Sequence, residues 1–296
     1  MPGQPRPGSP VFRPFGVGSS AVHLRVGFGR YSCLVRCILG VLVLAFGLAG
    51  CATAEASIAG NDVIVVGVKA DQPRLGFKED GRFTGFEVDV GTYIARHLGA
   101  SQVEFSEVRS DNREQKLDEG AVDLVLASYS ITPDRAKLVT FGGPYYVAHQ
   151  DVMVRRGETR IRGVRDLAGR RMCQASGSVS TERVVVGLSI PARLVPGASY
   201  SDCVAKLRRG EVDAVSTGDL VLAGFSAPDL EIVNSPFTDE RYGVGMRKGD
   251  IDGCEAVNDA ITTMYQDGTA SELLRKWFAP SGLNLVEEVP QFEGCS

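Results

Sequence analysis

Leu117-Asp118-Glu119-Gly120-Ala121-Val122-Asp123-Leu124-Val125 returns later in the chain as Leu207-Arg208-Arg209-Gly210-Glu211-Val212-Asp213-Ala214-Val215. Each copy reads as a helix end, a glycine stop and a buried strand, and each strand finishes in small polar residues, Ser128 in one and Ser216-Thr217 in the other. Alone, the echo is a common helix-to-strand turn. Its surroundings give it weight. Before the first copy, Val63–Lys69 is a buried-strand run, Phe86–Leu98 has helical apolar spacing through Val88, Val90, Tyr93, Ile94 and Leu98, Val103–Val108 is strand-like and Arg113–Leu117 helical. Val122–Ala127 closes that series. After Gln150 the rhythm restarts, with strands at Asp151–Arg155, Arg171–Gln174, Ala192–Val195 and Val212–Ser216 and helices from Ser178, over Ser201–Arg209 and from Asp219. Such alternation predicts an α/β chain of two lobes, each a mainly parallel sheet flanked by helices.

Residues 61–150 with 240–296 are expected to form the first lobe and 151–239 the second. The short strand Tyr242–Met246 and the helices Gly253–Gln266 and Thr269–Phe278 would return to the first lobe. Two crossings near 149–152 and 236–242 would then act as a hinge. Ligands of open parallel sheets sit outside the carboxyl ends of the strands, which here means a cleft shared by both lobes.

The chain has 296 residues, 44% hydrophobic and 23% charged, with a formal charge of −4. The charge is uneven: residues 1–50 hold Arg6, Arg13, Arg25, Arg30 and Arg36 and no acid, leaving an acidic body. That balance argues for export and against a nucleic-acid surface. Cys37–Leu48 (CILGVLVLAFGL) is too short to span a bilayer as a helix but suits the apolar region of a secretory signal. It runs into Leu48-Ala49-Gly50-Cys51, which resembles the lipobox of bacterial lipoproteins. Residues 1–50 would then be a signal peptide and Cys51 a lipidated N-terminus, although a plain signal peptide or short anchor would share most of these features. The long Gly- and Pro-rich stretch ahead of it would fit translation starting near Val26 or Val35. Residues 51–60 read as a flexible tether.

Beyond Cys51 lie Cys173, Cys203, Cys254 and Cys295. An even count in an exported chain suggests disulfides, and three connectivities are open. Cys173–Cys203 with Cys254–Cys295 is preferred because it keeps each bridge within one lobe; buried free thiols are the alternative. No C-x₂-C spacing exists, and His97 and His149 are the only histidines after Cys51, so no metal or other cofactor is expected.

Gly85-Phe86-Glu87-Val88-Asp89-Val90 resembles the signature of the polar amino-acid family (family 3) of solute-binding proteins, the extracytoplasmic receptors of ABC importers. Ser130-Ile131-Thr132-Pro133-Asp134-Arg135, Phe141–Tyr146, Asp166-Leu167-x-Gly169, Ser176-Gly177-Ser178 and Asp267-Gly268-Thr269 extend the likeness over residues 60–280. Val66–Pro73 and Pro236-Phe237-Thr238-Asp239-Glu240 are similar to the lipid-anchored glutamate-binding proteins of Gram-positive importers. The resemblance implies the two-lobe periplasmic-binding-protein fold of type II. It also implies a glutamate or aspartate ligand, an ABC permease with its ATPase as partner, a lipid anchor on the extracytoplasmic face, and a monomer.

A closed cleft around glutamate must satisfy two carboxylates and one ammonium without water. Arg135 suits the α-carboxylate, since a guanidinium grips it bidentately, with Ser128 and Ser130 as further donors. Lys69, where glutamate binders of the family tend to carry a base, would pair with the distal carboxylate. Ser110 and Arg113 match the loop supplying a second basic side chain. Lys69 and Arg113 could instead be exposed charges. Ser178 and Val179 open a helix whose N–H groups could cradle an anion, although Ser178 also reads as a plain N-cap. Tyr200 fits the cleft mouth or the core. Close relatives place an acid for the ammonium after the second-lobe strand. Here Ser216-Thr217-Gly218-Asp219 puts glycine at that position, so Asp219 either reaches the ammonium through a shifted turn or caps its helix.

Three functions compete: a receptor delivering glutamate to a permease, a sensor acting through a protein partner, and an enzyme on the same scaffold. With no paired acid–base constellation around a nucleophile, the enzyme is the weakest. Glycine at 218 also leaves room for a different small anion.

Overall fold

Strand β1 (Val63–Val68) lies between two parallel neighbours, and a computed structural model of the protein describes it together with the rest of residues 57–281, 283, 285 and 288–295. The signal segment, Cys51 and most of the tether lie outside the described residues. Strands β2 (Asp71–Gln72), β3 (Gly76–Glu79) and β4 (Arg82–Thr84) form a small meander that the periodicity did not reveal. Strands β5 (Gln102–Glu107) and β6 (Leu124–Leu126) flank β1, with Val66 opposite both Phe105 and Leu124. Ile64, Val66 and Val68 are fully buried, as expected of a β-branched run covered on both faces.

The helix Phe86–His97 packs on this sheet through Phe86, Val90, Ile94 and Ala95, all buried. Glu87 and Asp89 lie in its first turn and Arg96 and His97 in its last, each sign matching the helix dipole.

The second group begins within one long strand. The sequence suggested a strand at Asp151–Arg155; β7 instead runs unbroken from Thr140 to Arg155, through Gly142-Gly143-Pro144, residues that read as breakers in isolation. Strands β8 (Arg171–Ala175) and β9 (Arg193–Gly197) pair in parallel. A Met172–Ala214 bridge, also parallel, joins them to β10 (Val215–Gly218). Strand β10 starts three residues later than expected: Val212 is buried ahead of it and only Ala214, through the Met172 bridge, is paired before Val215. Strand β11 (Leu230–Ile232) pairs with β7. Strand β12 (Thr238–Met246) is longer than the Tyr242–Met246 expected.

Each group thus holds parallel strands, as predicted, but the Asp151–Arg155 stretch expected within the second parallel sheet belongs to β7, which runs antiparallel to β10 and β12. The crossings are themselves hydrogen-bonded: β12 lies antiparallel on β7, from Thr238 opposite Gln150 to Met246 opposite Thr140. One mixed sheet therefore runs β10-β7-β12-β6-β1-β5, with the small parallel pair beside it. A continuous buried apolar cluster follows, from Ile64 and Ile94 through Tyr145, Tyr146 and Met153 to Val204 and Leu207.

Both preferred disulfides are present, Cys173–Cys203 and Cys254–Cys295, joining residues 30 and 41 positions apart. Among the described residues no helix is long and apolar enough to cross a membrane, and no cluster of metal-ligating side chains occurs.

Candidate functional site

The carboxyl ends of the parallel strands converge on one buried cavity. From the first group come Ser110 after β5, then Arg113, and Ser128, Ser130 and Arg135 after β6. Ser178, Val179 and Ser180 follow β8, Tyr200 follows β9, and Thr217 and Gly218 end β10. Glu240 and Tyr242 of the crossing strand β12 close the back. This is where open parallel sheets leave backbone N–H groups and short loops free for a ligand.

Two guanidinium groups dominate it. Arg113 is 1% exposed, donates from Nη1 to the Ala127 carbonyl at 3.0 Å, and stacks 3.8 Å above the centre of the Tyr129 ring. Arg135 lies 5.3 Å from the same ring and donates from Nη1 to the Ser130 carbonyl at 2.9 Å. A single carboxylate stands between them: Glu114 Oε1 is 3.5 Å from Arg113 Nε and 3.8 Å from Arg135 Nε, and accepts the Tyr129 hydroxyl at 2.8 Å. Two cations share this one carboxylate, so neither guanidinium is fully matched by it. Burial pushes the Arg135 guanidinium down to about 10, helped by the charge of Arg113, which leaves it protonated at neutral pH.

Lys69, 4% exposed, is not a surface charge. Its Nζ donates to Ser110 Oγ at 2.6 Å. Desolvation, then the neighbouring Arg113 charge, pushes this ammonium down to about 7 against weaker opposing pulls from Asp71, Glu87 and Asp111. It lines an adjoining cavity of about 210 Å3, which shares Ser110 and Tyr200 with the main one. Ser110, which accepts the Lys69 ammonium, therefore faces both spaces.

Across the cleft the second group presents hydroxyls. Ser178 Oγ and the Tyr200 hydroxyl are 2.6 Å apart, Tyr200 also donates to Ser180 Oγ at 3.0 Å, and Ser180 N–H donates to Ser178 Oγ at 3.2 Å. The helix expected from Ser178 begins at Ser180 and widens into a π turn over Arg183–Gly187. The two sides touch at Gly177: its carbonyl accepts Arg135 Nη2 at 3.2 Å, and Ser176 Oγ donates to Asp111 Oδ2 at 3.1 Å. Gly177 has φ +68°, and a Cβ there would lie 2.4 Å from the Ser110 carbonyl, so only glycine permits this approach. With the sides in contact, the main cavity offers about 20 Å3 to the centres of water molecules, roughly one water's worth.

Of the residues singled out from the sequence, Ser110, Arg113, Ser128, Ser130, Arg135, Ser178, Val179 and Tyr200 line this cavity, and Lys69 adjoins it through Ser110. Asp219 does not line it. Its Oδ1 accepts the Leu220 N–H at 2.7 Å and its Oδ2 the Tyr146 hydroxyl at 3.4 Å, at the start of the helix Asp219–Gly224. Burial pushes that carboxyl up to about 6. A residue with a side chain is also excluded at 218, where a Cβ would lie 2.1 Å from the Tyr242 hydroxyl. Thr217, Ser180, Glu240 and Tyr242 were not foreseen as lining residues. Glu240 did stand within the quoted Pro236–Glu240 run, but its inward orientation depends on strand pairing.

Residues 64–280 match the model of the bacterial extracellular solute-binding proteins, family 3. The chain belongs to this family. The glutamate-binding protein GluB of Corynebacterium glutamicum is 35% identical over 246 residues, covering 78% of this chain and 83% of that one. The ABC transporter glutamine-binding protein GlnH of Bacillus subtilis is 31% identical over 229 residues, covering 75% and 83%. Among solved structures, an ancestral arginine-binding protein bound to arginine superposes with a TM-score of 0.68 at 32% identity, covering 74% of this chain and 99% of its own. Relatives with such different ligand names share one scaffold, so selectivity in this family-3 protein must be argued from its cavity walls.

Proposed function

We propose that this solute-binding protein takes an acidic amino acid, glutamate or aspartate, into the cavity between two lobes and delivers it to an ABC permease and its ATPase. The observation that carries the reading is the buried convergence of Arg113 and Arg135 on one small space, with the buried Lys69 adjoining it through Ser110. Cations are held out of water only where an anion repays the desolvation, and Glu114 repays part of it for the two arginines. A ligand with two carboxylates completes the balance, one on Arg135 and one on Lys69 and Arg113.

The lobes of this reading are residues 61–150 with 240–296 and residues 151–239, turning about the paired crossings of β7 and β12. Entry requires parting the Arg135–Gly177 contact, and in the filled site the ligand carboxylate takes the place of the Gly177 carbonyl on Arg135. A site that must release its cargo suits micromolar affinity, about −8 kcal/mol. Lipid on Cys51 would hold the molecule at the extracytoplasmic face of the cell membrane. It needs no catalytic step and no cofactor, and works as a monomer.

A second reading has one specific observation in its favour. Gly218 supplies no carboxylate and Asp219 points away, so a small dicarboxylate without an amine would meet the same cations. Isothermal titration of residues 57–296 with glutamate, aspartate, glutamine and glutarate separates the two. Glutamate or aspartate binding best supports the first reading; glutarate binding best supports the second; no heat from any dicarboxylate sinks both.

A further inference from the structure

Glu240 is the single acidic side chain lining the main cavity among the described residues, and it is 2% exposed. Its position is set by strand β12, which pairs through Tyr242 with Ser130 in an isolated bridge. Ser130 therefore stands between two opposite charges. Its carbonyl accepts Arg135 Nη1 at 2.9 Å, while its side chain hydrogen-bonds Glu240. An α-amino acid presents the complementary pattern, a carboxylate and an ammonium leaving one carbon.

The only cation in contact with the Glu240 carboxylate among the described residues is Arg183, whose Nε lies 2.5 Å from Oε1. That contact is not a directed hydrogen bond, because Nε has no aligned acceptor. Arg183 belongs to the π turn of the second group and Glu240 to the crossing strand, so the ion contact spans the cleft. Its side chain is 31% exposed, which gives it water to turn toward. Thr238 Oγ1, 3.4 Å from the carboxylate, completes the surroundings. The other buried or partly buried acids around the site do not line the cavity and have partners: Asp219 is tied to Leu220 and Tyr146, Glu114 lies between the arginines, and Glu87 accepts the Ser128 N–H and the Tyr145 hydroxyl.

We infer that Glu240 receives the α-ammonium of the ligand, with Arg183 as the internal cation that yields the carboxylate when the ligand enters. This deepens the acidic amino-acid reading and rests on it for the identity of the ligand. Glu240 then decides between an amino acid and a dicarboxylate. The Arg183–Glu240 contact also becomes a competitor for the ligand's amine, setting a ceiling on affinity.

The test uses two ligands that differ only in the ammonium. Wild type, E240Q and R183M are titrated calorimetrically with glutamate and with glutarate. For E240Q, glutamate affinity is expected to fall on the order of 10–100-fold while glutarate affinity holds or rises, its retained binding also showing an intact fold. For R183M, glutamate binding is expected to tighten. Equal losses for both ligands in E240Q, or unchanged glutamate affinity, overturn the assignment. If the wild type prefers another α-amino acid, the acidic reading fails, and Glu240 is then judged on that amino acid against its des-amino counterpart. Wild type binding glutarate more tightly than any α-amino acid overturns the Glu240 assignment itself.

Discussion

The Tyr242 hydroxyl fills the space that any side chain at Gly218 would need, since a Cβ at 218 would lie 2.1 Å from it and 3.2 Å from the Ala148 methyl. Both residues line the main cavity, one at the end of β10 and the other on the crossing strand β12. The tyrosine and the glycine are complementary shapes.

Gly218→Ala should therefore overpack this corner and cost about 1–3 kcal/mol in urea unfolding. Adding Tyr242→Phe removes the clashing oxygen and should recover part of the loss. A double-mutant cycle reads the coupling directly, and strictly additive effects would show that the two side chains are not in contact.

Arg135→Ala should weaken glutamate by more than about 30-fold in calorimetry, because the removed group is a buried charge that the proposed function pairs with a ligand carboxylate. Arg135→Lys should recover only a fraction, since an ammonium cannot reproduce the fork that reaches both Ser130 and Gly177 carbonyls. Unchanged affinity in Arg135→Ala would remove it from the site.

Lys69 makes binding pH-dependent. Its ammonium is pushed down to about 7 in the folded chain from an ordinary 10.5, so between these values the unfolded chain holds the extra proton and stability rises with pH. Ligand binding has the opposite sign. A carboxylate beside Nζ favours the charged form, so binding takes up a proton. Glutamate affinity should then fall as pH climbs above 7, by up to about tenfold per unit. Lys69→Met should flatten that slope and weaken glutamate more than glutamine. Titrations in buffers of different ionisation enthalpy check the proton uptake, and its absence near pH 7 would contradict a role for Lys69.

Reduction should loosen the chain at both ends of the second half. The bridges Cys173–Cys203 and Cys254–Cys295 span 30 and 41 residues, for which loop closure in the unfolded chain gives about 3–4 kcal/mol each. The second bridge anchors a tail whose Glu293 pairs with Arg241 at 2.7 Å. Cys254→Ser with Cys295→Ser should lower the urea midpoint and expose this tail to proteolysis. An unchanged midpoint would show that the bridge adds nothing to stability.

The strands Val63–Val68 and Arg171–Ala175 and the helices Phe86–His97 and Tyr200–Arg208 were legible because each is a local pattern of apolar spacing. The meander Asp71–Thr84 was not, since its strands are two to four residues long and carry no period. Strand β7 was legible only from Asp151 to Arg155, because its first half owes its extended course to pairing with β12, on either side of a register shift at residues 143–145, and not to a local apolar period. Arg135, Arg113 and the serines could be named from their motifs, each lying next to a recognisable strand end. Glu240 and Tyr242 could not be given roles that way.

The order of residues alone determined the alternation of strands and helices, the two-group architecture, the cysteine pairs worth preferring and the basic groups at the strand ends, because each of these is written within a few turns of chain. Which acid faces the cavity, and why residue 218 must lack a side chain, was decided only when β12 came to lie beside β7 and Ser130. Those neighbours are separated by about a hundred residues, and the charge balance of a buried space depends on every wall that encloses it.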